Sequence, residues 1–225
     1  MSAAPDVALE QLLDARHSCR GFVDRPVAPD VIARLLTLAQ RSPSWCNTQP
    51  WQLIVTEGDG TRRLSEAATA FAAANPPTPD VPFPDRYAGV FLERRRECAW
   101  QLYECVGVEK GDRAASAVEA MRNYAFFGAP HVAIITTEQE LGTYGALDCG
   151  VYVGCFLLAA QSLGLATIPQ AALGAVAPAI RELYDLPPQR QVLMGVSFGY
   201  PDAAHPANSF RTRRAALADV VTRAA

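Results

Sequence analysis

Two short segments space their arginines in a way that could do ionic chemistry. Arg16 to Phe22 reads RHSCRGF, and Asn208 to Leu217 reads NSFRTRRAAL. Side chains alternate along an extended chain, so Arg16, Ser18 and Arg20 share one side while His17 and Cys19 face the other. Arg211 and Arg213 repeat the same two-residue spacing. A guanidinium presents a planar fork of donors, so two of them beside a hydroxyl make a clamp for a phosphate or a carboxylate. One such pair could equally complement the C-terminus of a preceding helix. A second pair, in a chain of formal net charge −3, points to one dianion gripped between the two ends of the sequence, with a solvated basic tail as the alternative.

A third segment, RSPSWCNTQPW from Arg41 to Trp51, has no charge after its first residue. Asn47 and Gln49 offer both amide donors and amide acceptors. Trp45 and Trp51 offer flat apolar surface, although Trp51 adjoins a strand-like run and reads better as core. A ligand with a planar heteroaromatic head and a phosphate tail would use this loop and the arginines together. A flavin with a phosphate on its ribityl chain has that shape.

Other chemistries lack support. There is no Gly-x-Gly-x-x-Gly, no P-loop, no His-Glu-x-x-His and no Gly-x-Ser-x-Gly, and the three histidines are scattered. The six cysteines form no Cys-x-x-Cys pair or zinc spacing and read as small buried thiols. The net charge excludes a general field for nucleic acid, so no nucleic-acid partner is expected. The N-terminus lacks a signal pattern. Tyr144 to Leu165 is long and apolar but contains Asp148 and Gln161, which reads as a buried helix rather than a membrane span. A cytoplasmic protein is expected.

These residues need a scaffold. With 225 residues, half of them apolar, the chain can bury a core without staples. Leu9, Leu12 and Leu13 share a helical face that points inward, with Arg16 one turn on. Pro29 opens a second helix with an apolar face of Val31, Ile32, Leu35, Leu36 and Ala39. Gln52–Thr56 is a strand and Thr61–Ala74 a helix. Asn75–Asp85, with five prolines, fits neither and reads as a surface excursion or lid. Val90–Cys105 is a charged helix, and Asp112 caps another that reaches Phe127. His131–Thr137 is a strand, Tyr144–Leu163 a helix stopped by Gly164, Ala166–Gln170 a strand, Val176–Tyr184 a helix and Gln191–Phe198 the last strand. The order predicts an α+β or mixed α/β fold in one domain, 1–225.

The motifs RHSCRGF, SPSWCNTQPWQLIV, FFGAPHVAIIT, ALDCGVYVGCFLLAAQSLGLATIPQAAL and GYPDAAHPANSFRTRR follow in that order along nearly the whole chain. Together they resemble the FMN-dependent nitroreductase family, and most of all its branch of nitrobenzoate and nitroaromatic reductases. The resemblance implies an α+β sandwich with a central mixed, mainly antiparallel sheet flanked by helices. It implies a homodimer with FMN at the subunit interface. Arg16, Ser18 and Arg20 would hold the phosphate and ribityl chain, Arg211 and Arg213 would complete the phosphate site, and His17 would touch the cofactor through its backbone. Pro43, Ser44, Trp45 and Asn47 would come from the partner and pack at the ring. Pro169, Gln170, Ala171 and Ala172 would lie along the other edge, where a backbone N–H meets flavin N5. Arg94, Arg95 and Gln101 are candidates for the pyrimidine edge, and the segment 75–112 for a lid over the active site. The implied activity is ping-pong hydride transfer from a transient NAD(P)H to a small aromatic acceptor, a nitroaromatic or a quinone, with the chemistry carried by FMN and no obligate catalytic side chain. Enone reduction, reductive dehalogenation or flavin fragmentation on the same fold are alternatives, as is a non-catalytic FMN carrier or sensor.

Overall fold

The computed structural model describes residues 5–224. Its regular elements are α1 (Pro5–Ala15), α2 (Pro29–Ala39), β1 (Gln52–Thr56), α3 (Asp59–Ala74), α4 (Gly89–Cys105), α5 (Arg113–Met121), β2 (His131–Glu138), α6 (Gly142–Ser162), β3 (Ala166–Gln170), α7 (Ala177–Leu183) and β4 (Arg190–Gly199), with short 3-10 turns between them. The four strands make one sheet in the order β1-β2-β4-β3, and each pairing is antiparallel. The parallel component of the expected mixed sheet is a single bridge between Ser18 and Thr167.

β2 is buried along nearly its whole length, because both faces of the sheet are covered. Its side chains alternate between two cores. Ala133 and Ile135 join Leu35, Trp51, Tyr152, Phe156 and Phe198 on the α2/α6 side. Val132 and Ile134 join Leu64, Phe126, Leu173, Val176 and Ile180 on the α3/α7 side. Trp51 is core, as its position predicts: its ring stacks on Tyr152 at 4.9 Å, and its Nε1–H donates to Gln40 Oε1 at 3.0 Å.

Four expectations change. No residue of α1 is buried, and Leu9 and Leu13 are exposed, so the leucine face points away from the core of its own chain. The helix capped by Asp112, whose carboxylate accepts from the Ala115 N–H at 2.9 Å, ends at Met121 rather than at Phe127. Phe126 and Phe127 adopt left-handed φ values of 55° and 53°, and burial of both rings offsets that strain. Cys19 and Cys149 are buried, but Cys46 is exposed and the other three cysteines are half-buried. α6 is long and apolar enough to cross a membrane by composition. One face of it, through Cys149, Tyr152, Val153, Phe156 and Ala160, lies in the core, while Tyr144, Leu147 and Val151 are exposed.

The proline-rich stretch after α3 forms neither helix nor strand. It is latched to the body at two points. The Thr78 N–H donates to the Ala175 carbonyl at 2.8 Å. Asp80 Oδ2 accepts at 2.7 Å from both Arg181 Nη2 and the Val192 N–H. Val192 heads the buried part of β4, so this carboxylate ties the excursion to the sheet. Asp80→Ala is expected to lower unfolding free energy by about 1–3 kcal/mol, the range for charge-assisted bonds to a partly buried group. Urea denaturation measures it, and a change of only a few tenths would show that the latch is idle.

Candidate anion-binding site

A cavity of about 400 Å³ opens where the end of α1 meets the C-terminal segment. Arg16, His17, Ser18, Arg20, Arg211 and Arg214 line it, with Phe210 and Cys98 of α4 beside them. The segment after α1 is set down along β3. The Cys19 N–H donates to the Thr167 carbonyl at 3.0 Å, next to the Ser18–Thr167 bridge. Alternation then holds from Ser18 onward: Cys19 is fully buried while Ser18 and Arg20 reach the cavity. His17 departs from the alternation and lines the cavity too. The Arg16 N–H still donates to the Leu12 carbonyl, so the chain is helical there and the extended geometry begins one residue later.

The C-terminal pair also differs from its prediction. Arg213 does not line the cavity. Its side chain is 80% exposed and its Nε donates to Glu97 at 2.7 Å. Arg214 takes the place. Past the 3-10 turn Pro206–Asn208 the segment is not a strand, so spacing of two has no meaning there. Arg211 Nη1 donates to the Asn208 and Phe210 carbonyls, and Arg214 Nη1 to the Thr212 carbonyl and hydroxyl.

Among the described residues, no carboxylate lies within ion-pair distance of Arg16, Arg20, Arg211 or Arg214. Asp14 is the one acid on the cavity wall. Burial pulls Arg16 below its ordinary value, and Arg214 pulls it further. Burial likewise lowers Arg20, whose guanidinium lies 5.9 Å from the Phe127 ring and 6.0 Å from the Phe210 ring. His17 is lowered first by burial, partly restored by the Ala15 carbonyl 3.1 Å from Nδ1, and lowered again by Arg211, Arg16 and Arg20. The Cys98 thiol, Glu119 and the Cys19 thiol partly restore Arg20, while the positive neighbours that lower Arg16 and His17 make that part of the cavity complementary to an anion. Arg94 and Arg95 are exposed and do not line it. Gln101 sits one helical turn beyond Cys98, and its Oε1 is buried without a hydrogen-bond partner.

The Pro43–Gln49 loop is elsewhere in the chain, on an open depression shared with Thr37, Gln40 and Arg41. Cys46, Asn47 and Gln49 all have left-handed φ, at 52°, 56° and 48°. A set of polar bonds holds this strained path. The Trp45 N–H donates to the Asp148 carboxylate at 3.1–3.2 Å, the Gln49 N–H to Ser44 Oγ at 2.9 Å, Gln40 Nε2 to Gln49 Oε1 at 3.0 Å and Gln49 Nε2 to the Asn47 carbonyl. Trp45 is 60% exposed and rests on Tyr144 at 4.5 Å. Gln49, not Asn47, fastens the loop, and the Asn47 side chain is exposed. Asp148 had been visible in the sequence only as a polar interruption of an apolar run.

At the end of β3, the Gln170 side chain is buried and committed: Nε2 donates to the Asn123 carbonyl at 2.8 Å, and Oε1 accepts from the Ser197 hydroxyl. It therefore serves the fold. Ala171, exposed, and Ala172, half-buried, follow Pro169–Gln170 and head the 3-10 turn Ala171–Val176, where the first N–H groups lack an intrahelical acceptor. One chain thus brings together the arginines of both termini but not the Pro43–Asn47 loop.

Comparison with known proteins gives a consistent result. Residues 13–200 match the sequence model of the Nitroreductase family. The chain is 32% identical over 213 residues to nitroreductase NfnB of Mycolicibacterium smegmatis, covering 94% of this chain and 91% of the relative. It is 31% identical over 207 residues to a 4-nitrobenzoate reductase of Pseudomonas putida, covering 91% and 90%. The fold superposes with a TM-score of 0.94 on the crystal structure of the FMN-dependent nitroreductase NfnB from Mycobacterium smegmatis in complex with NADPH, at 31% identity and with 99% and 100% of the two chains covered.

His17 reports on the cavity. Three arginines help to hold it below its ordinary value, so a dianion placed among them must raise it. Its charged form is disfavoured in the folded apoprotein, so its contribution to stability is present above about pH 6.5 and is lost as pH falls through the depressed value. Proton NMR titration of the apoprotein should find His17 below the ordinary histidine range, and saturating inorganic phosphate should move it up. A His17 titration indifferent to phosphate would place the anion elsewhere.

Proposed function

The chain belongs to the nitroreductase family, and from that premise we propose that it is an NAD(P)H-dependent FMN oxidoreductase that reduces nitroaromatic acceptors, with quinones as a second class. The observation that carries the reading is the cavity in which Arg16, Arg20, Arg211 and Arg214 converge with no carboxylate partner among the described residues. That arrangement fits the phosphate of FMN, with Ser18 as a further donor. The orphaned Gln101 Oε1 fits a donor at the pyrimidine edge of a bound ring.

FMN, when bound, would supply the redox chemistry that links NAD(P)H to the acceptor in two half-reactions. The chain supplies position. The arginines would hold the phosphate end, and the Ala171 and Ala172 N–H groups would be donors to one edge of the ring. The Pro43–Asn47 loop, which its own chain leaves exposed, comes from a second copy. Trp45 then covers apolar ring surface, and the Asn47 amide, free of internal duties, meets a polar ring atom. The exposed leucines of α1 and the exposed Tyr144, Leu147 and Val151 of α6 provide apolar surface for a homodimer of this kind. Donor and acceptor use one face in turn, which agrees with the lack of a dinucleotide fingerprint. Segment 75–112, with exposed Phe83, Tyr87 and Phe91, is the candidate lid that selects the acceptor.

Initial rates with NADPH and a nitroarene, each varied against the other, should give parallel double-reciprocal lines. Intersecting lines would refute the alternation of donor and acceptor, and absence of turnover by FMN-loaded protein would refute the enzyme. Arg16→Ala combined with Arg214→Ala should weaken FMN binding by about two to four decades, from two charge-assisted contacts of about 1.5–3 kcal/mol each. Removing two mutually repelling, partly desolvated charges should leave the melting temperature of the apoprotein unchanged or higher. Full flavin occupancy in the double variant would remove the phosphate from this cavity.

A further inference from the structure

We infer that Asn208 is a positioning residue that makes one anion pocket out of two remote segments of the chain. This rests on reading the cavity as the phosphate site. Asn208 is 8% exposed, and its amide is committed to the seam between the termini. Oδ1 accepts from the Arg20 N–H at 2.7 Å. Nδ2 donates to the Gly21 carbonyl at 2.8 Å and to the Asp202 carbonyl at 2.9 Å. The buried Cys19 thiol donates to the same Gly21 carbonyl at 3.0 Å. The backbone carbonyl of Asn208 in turn accepts from Arg211 Nη1 at 2.9 Å. One residue therefore touches the main chain of Arg20 with its side chain and the guanidinium of Arg211 with its main chain.

The seam has little slack. The Asp202 N–H donates to the Gly21 carbonyl at 3.0 Å and the Val23 N–H to the Tyr200 carbonyl at 3.1 Å, next to the Phe22–Pro201 bridge. A Cβ built on Gly21 would lie 2.2 Å from His205 Cγ, so the His205 side chain fills the space that any residue but glycine would need there. On the far side, Arg122 Nη2 lies 3.1 Å from His205 Nε2 and donates to the Arg20 carbonyl. Four guanidiniums gathered with no carboxylate in ion-pair contact among the described residues do not hold one another, and something must keep the segments together before the anion arrives. Hydrogen bonds to main-chain atoms do this without adding a negative charge that would compete with the ligand. An amide also supplies the acceptor and the two donors that this seam needs, which neither a carboxylate nor an ammonium can do.

The inference separates pocket assembly from flavin binding in general, and the ratio of the dissociation constants of riboflavin and FMN isolates the phosphate contribution. Asn208→Leu keeps the branched shape and the number of side-chain heavy atoms and removes both donors and the acceptor. In the full-length apoprotein, riboflavin affinity is expected to change less than about three-fold while FMN affinity falls at least about ten-fold, the equivalent of one charge-assisted contact. The ratio falls accordingly. Should Asn208→Leu not fold, Asn208→Ser retains one hydroxyl and should lose at least about three-fold of the ratio, under half of one such contact. A variant whose ratio equals that of the wild type, or in which both ligands weaken alike, overturns the positioning role. A wild-type protein that binds riboflavin as tightly as FMN would instead overturn the phosphate reading itself, so the two failures are told apart.

Discussion

The structure around the site depends on a local charge imbalance that the rest of the chain must contain. Four guanidiniums share a cavity of about 400 Å³ in a protein of net charge −3, and no described carboxylate lies within ion-pair distance of them. Desolvation makes this worse, as the lowered values of Arg16, Arg20 and His17 show. Such an arrangement is stable only where the backbone is held independently of the charges. The antiparallel sheet provides that hold. β3 accepts the segment after α1 through Thr167, and β4 leads into Tyr200 and Asp202, against which the same segment is zipped. The termini of the chain are thereby brought to one place, and the cations come with them.

A second cost lies in the Pro43–Gln49 loop. Three residues with side chains sit in the left-handed region, at a cost on the order of 1–3 kcal/mol each. The polar bonds from Asp148, Ser44, Gln40 and Gln49 are therefore spent on shape. What that shape leaves unsatisfied is the outward side: an indole mostly in solvent and an amide without internal work. Strain kept in a preformed loop whose useful groups face away from its own chain is economical only if they meet something outside it. The exposed apolar side chains of α1 and α6 make the same point about the same chain.

Much of this was legible in the sequence. Periodicity located the seven helices and four strands in order, and the unbroken apolar run in HVAIITT reflects a strand buried between two cores. RHSCRGF announced the cationic edge. The sequence was less informative where tertiary geometry sets the local conformation. The choice between Arg213 and Arg214 depends on a segment that is not a strand, so alternation had nothing to act on. His17 lines the cavity because the Arg16 N–H is still bound to the Leu12 carbonyl, so strand alternation does not yet apply at Arg16 and His17. The Gln170 side chain is a core amide, because Asn123 and Ser197, far away in sequence, reach it first, and only its backbone is left for the edge that the resemblance implies. The leucine face of α1 was legible as apolar but not as outward, since a pattern does not say what covers it.

The central claim is that the arginine cavity holds the phosphate of FMN as a dianion. Phosphorus-31 NMR of the flavin-loaded protein tests it most directly, because a free phosphate monoester takes up a proton with a pKa of about 6. Four surrounding guanidiniums should hold the bound phosphate fully ionised, so its resonance should stay flat as pH falls from about 8 to about 5, well below that value. A bound resonance that titrates like free FMN would mean that the phosphate is in solvent and that these arginines hold something else.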